Sequence, residues 1–273
     1  MGPYLSDTLK RRLVFLTGKG GVGKTTLSLA LATAALRQGA KVAIVSLNPF
    51  ASEPPPPCIP FYSLEPEGCF REYALKILRF ERLYTSIFDN KVLRTFIRAA
   101  PGLSDTVIGG KIWELVDSRV HDLLIVDLPS SGHAVSFFRS PRGVSHMFKH
   151  GFVHEKAERI NTLFTSPEAR IDLVVTPTEF SVTEALELRT SLLGIAALPL
   201  GFCLRNQLLP DISIEESSLQ TVTLLKRSYD TRRHQEEGAL AGLAAVGLPS
   251  LALPVIPNGL NRIGDLAERL SVA

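Results

Sequence analysis

Residues 18–26 read Gly-Lys-Gly-Gly-Val-Gly-Lys-Thr-Thr, a run whose residue types and spacing suit the capture of a polyphosphate. Gly18, Gly20, Gly21 and Gly23 allow positive φ and let backbone N–H groups come close to a ligand. Those N–H groups, with the N-terminus of a following helix, make a concave site for anionic oxygens. Lys24 supplies a point charge for the β- and γ-phosphates, and Thr25 supplies a hydroxyl for Mg²⁺. Gly20, Gly21, Val22, Gly23, Lys24, Thr25 and Thr26 are therefore the expected nucleotide contacts. The flanks fit the motif, because an apolar Leu13-Val14-Phe15-Leu16 precedes it and a helical Leu27-Ser28-Leu29-Ala30-Leu31-Ala32 follows.

A second carboxylate-bearing element complements the first. Asp122-Leu123-Leu124-Ile125-Val126-Asp127 is an apolar strand that ends in an acid. A carboxylate at the C-terminal end of a parallel strand lies on the ligand side of the sheet. There Asp127 can share Mg²⁺ with Thr25; the plainer alternative is a strand-end cap. Lys19 is an additional cation just after the first glycine, where a phosphate loop needs none; the plainer alternative is a solvated loop lysine.

These residues need a frame, and the chain order predicts one. Leu13–Thr17 reads as the first strand and 25–38 as its helix, closed by Gly39. Further strands are expected at 41–47, 122–126, 173–176, 200–204 and 250–255, with a helix at 182–193. The proline-rich stretch 52–57 stops regular structure. Helical spacing recurs from about Phe70 to Asp117, broken by Pro101-Gly102, and again over 134–163. Strands alternating with helices predict an α/β fold with a doubly wound, mostly parallel sheet flanked by helices and a small helical lobe. The expectation is a single domain over residues 1–273, with the segments at about 70–117 and 134–163 as insertions or lobe.

Composition narrows the setting. The 273 residues are 45% hydrophobic and carry a net charge of +3, too weak a bias to imply nucleic acid. The three cysteines, Cys58, Cys69 and Cys203, are scattered and suggest neither a zinc nor an iron–sulfur site. They fit a reducing compartment. The polar stretch 1–12 holds no apolar signal core, and no segment is apolar for long enough to span a bilayer, so a cytoplasmic location is expected.

The motifs resemble one family. Lys19 and Lys24 together resemble the deviant Walker A motif of ArsA-, MinD/ParA- and nitrogenase-iron-protein-type ATPases. Asp127-Leu128-Pro129-Ser130-Ser131-Gly132-His133 resembles the switch II sequence D-x-x-P-T-G-H of the ArsA and tail-anchored-protein-targeting ATPases, with one residue fewer between Asp and Pro. Ala99-Ala100-Pro101-Gly102-Leu103 with Gly110-Lys111-Ile112 looks like an A-P-G…G-K block of bacterial relatives. Val174-Val175-Thr176-Pro177-Thr178-Glu179 with Glu184 resembles V-V-T-x-P-E…E-T-x-R, with Pro177 displaced. Arg205-Asn206-Gln207-Leu208-Leu209-Pro210 and Pro254-Val255-Ile256-Pro257 look like the family's base-binding segments. The resemblance runs from about Arg12 to Leu270.

It implies Mg·ATP as ligand and a nucleotide-dependent dimer, with itself or with a paralogous ATPase, in anion transport or protein targeting. It also implies a role for Lys19 at the partner's nucleotide, and for Asn206, Pro254 and Pro257 at the adenine. For Asn206 an Asx-type turn at a strand end is the alternative. Gly132 would sense a γ-phosphate, and His133 would relay movement or simply begin a helix. Contact with a membrane would be indirect, and no nucleic acid is expected.

Three departures stand out. Ser46-Leu47-Asn48-Pro49 places Asn48 where the family's S-T-D-P switch I has the aspartate that positions water. An amide can orient water but cannot take its proton, which implies weakened hydrolysis, or a non-catalytic regulatory subunit beside a catalytic paralogue. The zinc-binding cysteine pair is missing. With only 2 methionines and a short insert after switch II, a Met-rich client groove is not expected. The client stays unread.

Weaker signals are a basic cluster, Lys226, Arg227, Arg232, Arg233 and His234, read as a solvated face or a docking surface, and His146, His150 and His154, whose i, i+4 spacing would share one helix face. The tail at 260–270 carries charge on several sides, which argues against a membrane-binding helix.

Overall fold

Seven strands form one parallel sheet in the order β3-β2-β4-β1-β5-β6-β7. The structure is a computed structural model that describes residues 1–47, 56–78, 102–195, 197–213, 220–256 and 261–272. The strands are β1 (Leu13–Thr17), β2 (Val42–Ser46), β3 (Phe61–Ser63), β4 (Leu123–Asp127), β5 (Ala169–Val175), β6 (Leu200–Leu208) and β7 (Ser250–Pro254). The helices are α1 (Pro3–Thr8), α2 (Lys24–Arg37), α3 (Pro66–Leu78), α4 (Leu103–Asp117), α5 (Ser131–Met147), α6 (Phe152–Thr165), α7 (Glu179–Leu193), α8 (Gln220–Ala241) and α9 (Arg262–Val272).

β1, β2, β4 and β5 are buried along their whole length, which is why they are continuous apolar runs in the sequence. Successive side chains of β1 alternate between two cores. Val14 and Leu16 join α1, α2 and α9 on one face; Leu13 and Phe15 join α4, α5, α6 and α7 on the other. Phe15 meets Phe138 of α5 and Phe164 of α6 edge-on, at 5.0 and 5.2 Å between ring centroids. Helices thus cover both faces of the sheet, as the alternation of strands and helices predicts. The helices at 103–117 and 131–165 share this sheet core.

The remaining differences have local causes. β3 and α1 go unread because one is a three-residue, half-exposed edge strand and the other a six-residue helix. β6 runs four residues past the expected end through a register shift at Arg205–Leu208, where Gln207 takes φ +61°. The tail corrects the sequence reading. In α9, Leu266, Ala267 and Leu270 are buried on one face, packed on the α2 side of the sheet, so its charges are not spread all round. Among the described residues, no helix is long and apolar enough to cross a membrane.

Candidate functional site

β1 sits between β4 and β5, with Leu16 opposite Asp127 in the β1–β4 ladder and Ser46 opposite Asp127 in the β2–β4 ladder. The loop after β1, the end of β4 and the exit of β2 therefore meet at one edge, the carboxyl ends of the strands, where parallel sheets bind ligands. The loop enters α2 through Gly23, whose φ is +91°.

Two glycines are fixed by their surroundings. Gly18 has φ +149°, and a Cβ there would overlap the Val174 carbonyl oxygen of β5. At Gly23 a Cβ would lie 2.5 Å from Asn206 Nδ2. Gly20 differs from expectation, since it does not adopt positive φ and a Cβ there would meet nothing within 4 Å.

Lys24, only 9% exposed, folds back over the loop. Its Nζ donates to the carbonyls of Gly18 and Lys19, each at 2.9 Å. Burial pushes its ammonium below the usual lysine value, opposed by the charges of Asp127 and Glu184. Thr25 Oγ1 donates to Asp127 Oδ2 at 2.6 Å. Asp127 is 1% exposed, and burial raises its carboxyl above the usual range against the Thr25 hydrogen bond and the Lys24 charge. Its Oδ1 is buried with no hydrogen-bond partner. A hydroxyl and a carboxylate with an orphaned oxygen suit Mg²⁺, which takes oxygen ligands and keeps several waters. The residues present fit that ion.

Asn206 lies inside β6, 6% exposed, so it does not close a turn at a strand end. Its Nδ2 donates to the Val22 carbonyl at 2.8 Å and ties the loop to β6. Thr26 Oγ1 accepts from Arg262 Nη2 of α9 at 2.8 Å, a contact no local motif announces. Pro254 ends β7 and lines a cleft of about 640 Å³ with Arg205, Pro210, Arg233 and Arg269. Asn48 and Pro257 lie outside the described residues.

After Asp127 three residues lead into α5, with Ser130 at its N-cap position but no capping side-chain hydrogen bond. Gly132 and His133 stand in its first turn, and the His133 N–H donates to the Ser130 carbonyl at 3.0 Å. His133 is exposed. Ser131 Oγ hydrogen-bonds Glu184 of α7. Glu184 thus reaches both switch II and, through its charge, Lys24, a placement its motif did not reveal. Lys19 is half-buried, and its Nζ lies 3.4 Å from the centroid of the Phe180 ring.

The histidine trio is not one face. His146 is in α5, whose helix ends at Met147; Gly151, with φ +90°, separates it from His154 in α6. His154 Nδ1 pairs with the Ser145 carbonyl at 3.0 Å. In the basic cluster, Arg233 is tied down by a hydrogen bond to the Leu209 carbonyl at 3.2 Å. Among the described residues, no three His, Cys, Asp or Glu side chains gather to hold a metal.

The chain matches the family model described as anion-transporting ATPase over residues 11–52, a stretch that includes the glycine-rich loop. It is 31% identical to the ATPase BagA of Mycobacterium tuberculosis over 224 residues, 73% of this chain and 66% of that protein. This chain belongs to the ArsA ATPase family. ATPase ASNA1 homolog 2 of Paramecium tetraurelia is 26% identical over 52% of this chain and 48% of its own length. The ATPase ASNA1 homolog of Cryptosporidium parvum is 26% identical over 50% of this chain and 40% of its own. The chain spans 66% of the length of BagA and less than half that of these ASNA1 homologues. Membership accounts for the parallel sheet, at whose strand-end edge the glycine-rich loop, Asp127 and the start of α5 meet.

Proposed function

We propose that this chain binds Mg·ATP in its P-loop and works as an ATPase whose nucleotide sets its dimeric state, in anion transport or protein targeting. The observation that carries this reading is the meeting of Lys24, Thr25 and Asp127 at adjoining strand ends, with a buried carboxylate oxygen left unpartnered. Residues 1–273 act as one ATPase domain in the cytoplasm, in contact with a membrane only through partners.

Each residue has a task. Lys24 exchanges two neutral carbonyls for anionic phosphate oxygens, which adds charge–charge attraction to its hydrogen bonds. Thr25 and Asp127 hold Mg²⁺, which supplies charge neutralisation on the phosphates when bound. The N–H groups of Gly20, Gly21, Val22 and Gly23 and the side chain of Thr26 line the phosphate chain. Asn206, Pro254 and Pro257 border the adenine. Lys19 reaches the nucleotide of the second protomer, this chain or a paralogue, so that turnover needs the dimer. Asn48 orients the attacking water without accepting its proton.

Asn48 also favours a second reading, a non-catalytic nucleotide-binding subunit in a heteromer with a catalytic paralogue. Both readings need the P-loop. Titration calorimetry with Mg·ATP tests it: binding should be lost in Lys24→Ala, and undiminished affinity in a folded Lys24→Ala protein overturns the assignment.

A further inference from the structure

Phe180 is a large apolar side chain left 66% exposed in the first turn of α7. The backbone that carries its ring is held by the elements that also fix the P-loop. Thr178 caps α7 by accepting from Ser181 N–H at 3.3 Å, and Ser181 Oγ accepts from Thr176 N–H at 3.1 Å, just beyond β5. β5 pairs along β1, and Gly18 packs on the Val174 carbonyl. Lys19 therefore leaves a backbone anchored to β5 and meets a ring carried by a helix start anchored to the same strand. Its ammonium sits 3.4 Å from the ring centroid, within the distance at which a cation is held by an aromatic face.

We propose that Phe180 is a positioning residue for Lys19, a docking ring that holds the lysine against its own protomer until a partner's nucleotide competes for it. The proposal rests on the reading that Lys19 acts across the dimer. Delivery of the lysine in trans requires its ammonium to leave the ring. The ring contact thus raises the protein concentration needed for the nucleotide-bound dimer. The ring acts through Lys19 and has no contact of its own with the phosphates in this role. At an exposed site a cation–π contact is worth about a two- to five-fold change in an equilibrium constant.

The test uses the full chain in two arms. In the first, ¹³C-lysine-labelled, nucleotide-free protein is examined by NMR. The Lys19 Hε resonances should be shifted upfield by the ring, should lose that shift in Phe180→Leu, and should keep it in Phe180→Tyr. Unshifted Hε resonances in the wild-type protein overturn the proposal without reference to any dimer. In the second arm, light scattering follows dimer formation with Mg²⁺ and a non-hydrolysable ATP analogue. Two such contacts are given up per homodimer, so Phe180→Leu should lower the midpoint concentration by about four- to twenty-five-fold, and Phe180→Tyr should restore it. In a Lys19→Ala background Phe180→Leu should change nothing. A Phe180→Leu effect that persists without Lys19, or a weaker dimer in Phe180→Leu, makes the ring part of the interface itself and overturns the proposal. The trans role of Lys19 fails separately, if Lys19→Ala alone assembles like the wild type.

Discussion

Gly18 and Gly20 stand two residues apart in one loop and answer to different demands. Gly18 is fixed by φ +149° and by the Val174 carbonyl behind it; Gly20 has neither constraint. Gly18→Ala should therefore destabilise the fold by about 1–3 kcal/mol, the usual cost of a strained backbone position, while Gly20→Ala should stay within about 0.5 kcal/mol. Urea unfolding of the two variants beside the wild type checks this; equal losses would mean that φ and packing do not decide the matter. The motif makes all four glycines look alike, because it reports residue type and spacing but not what stands behind each backbone atom. The same limit applies to Phe180 and Arg262, whose partners Lys19 and Thr26 are distant in sequence. Lys24, Thr25 and Asp127 were legible because each carries its chemistry in a fixed offset from a strand end.

At the scale of elements, burial explains what the sequence reveals. Strands buried on both faces announce themselves as apolar runs, whereas β3 and α1 are too short and too exposed to do so. α9 did carry a legible signal, since Leu266, Ala267 and Leu270 fall on one helical face, but the charges around them obscured it. α1 is held by a network that composition alone could not suggest. Arg170 of β5, 2% exposed, pairs with the fully buried Asp172 at 2.7 Å, with Asp7 at 2.7 Å and with Thr8 Oγ1 at 2.7 Å. Tyr4 Oη donates to Asp172 at 3.0 Å. Arg170→Met would leave the Asp172 carboxylate, among the described residues, with Tyr4 Oη and the Phe202 N–H as its donors. A loss of about 3–5 kcal/mol is expected by urea unfolding at neutral pH.

The network also sets an acid limit on α1. Burial would raise the Asp7 carboxyl, but hydrogen bonds from Arg11 and Arg170, with their charges, outweigh it and hold it below the usual range. A carboxyl lowered in the folded state contributes stability above its unfolded value, about pH 3.9, and loses it as pH falls through the folded value. Asp7→Asn should therefore be less stable than wild type near pH 6, with the two converging below about pH 4. Urea unfolding across that range measures the gap; a constant gap would remove Asp7 as its source.

For the whole molecule, the decisive question is whether one chain completes its own chemistry. Thr25, Asp127 and Lys24 are assembled within one chain, so nucleotide binding should need no partner. Water activation is different on the proposed reading, in which Asn48 takes the place of the switch I aspartate, and general-base assistance is worth roughly 10²–10⁴ in rate. We expect slow ATP turnover by this chain alone, measured as phosphate release at saturating Mg·ATP, and a clear gain on Asn48→Asp. On the proposed reading, a carboxylate placed at position 48 acts only if everything else is in place, including Lys19 from a second copy. A gain that rises with protein concentration and disappears in Asn48→Asp/Lys19→Ala would therefore support a homodimer as the catalytic unit. Brisk turnover by the wild type, unimproved by Asn48→Asp, would overturn the impaired-site reading. If both proteins bind Mg·ATP yet neither turns it over alone, and a paralogous ATPase that keeps the aspartate restores phosphate release, this chain is the regulatory half of a heteromer.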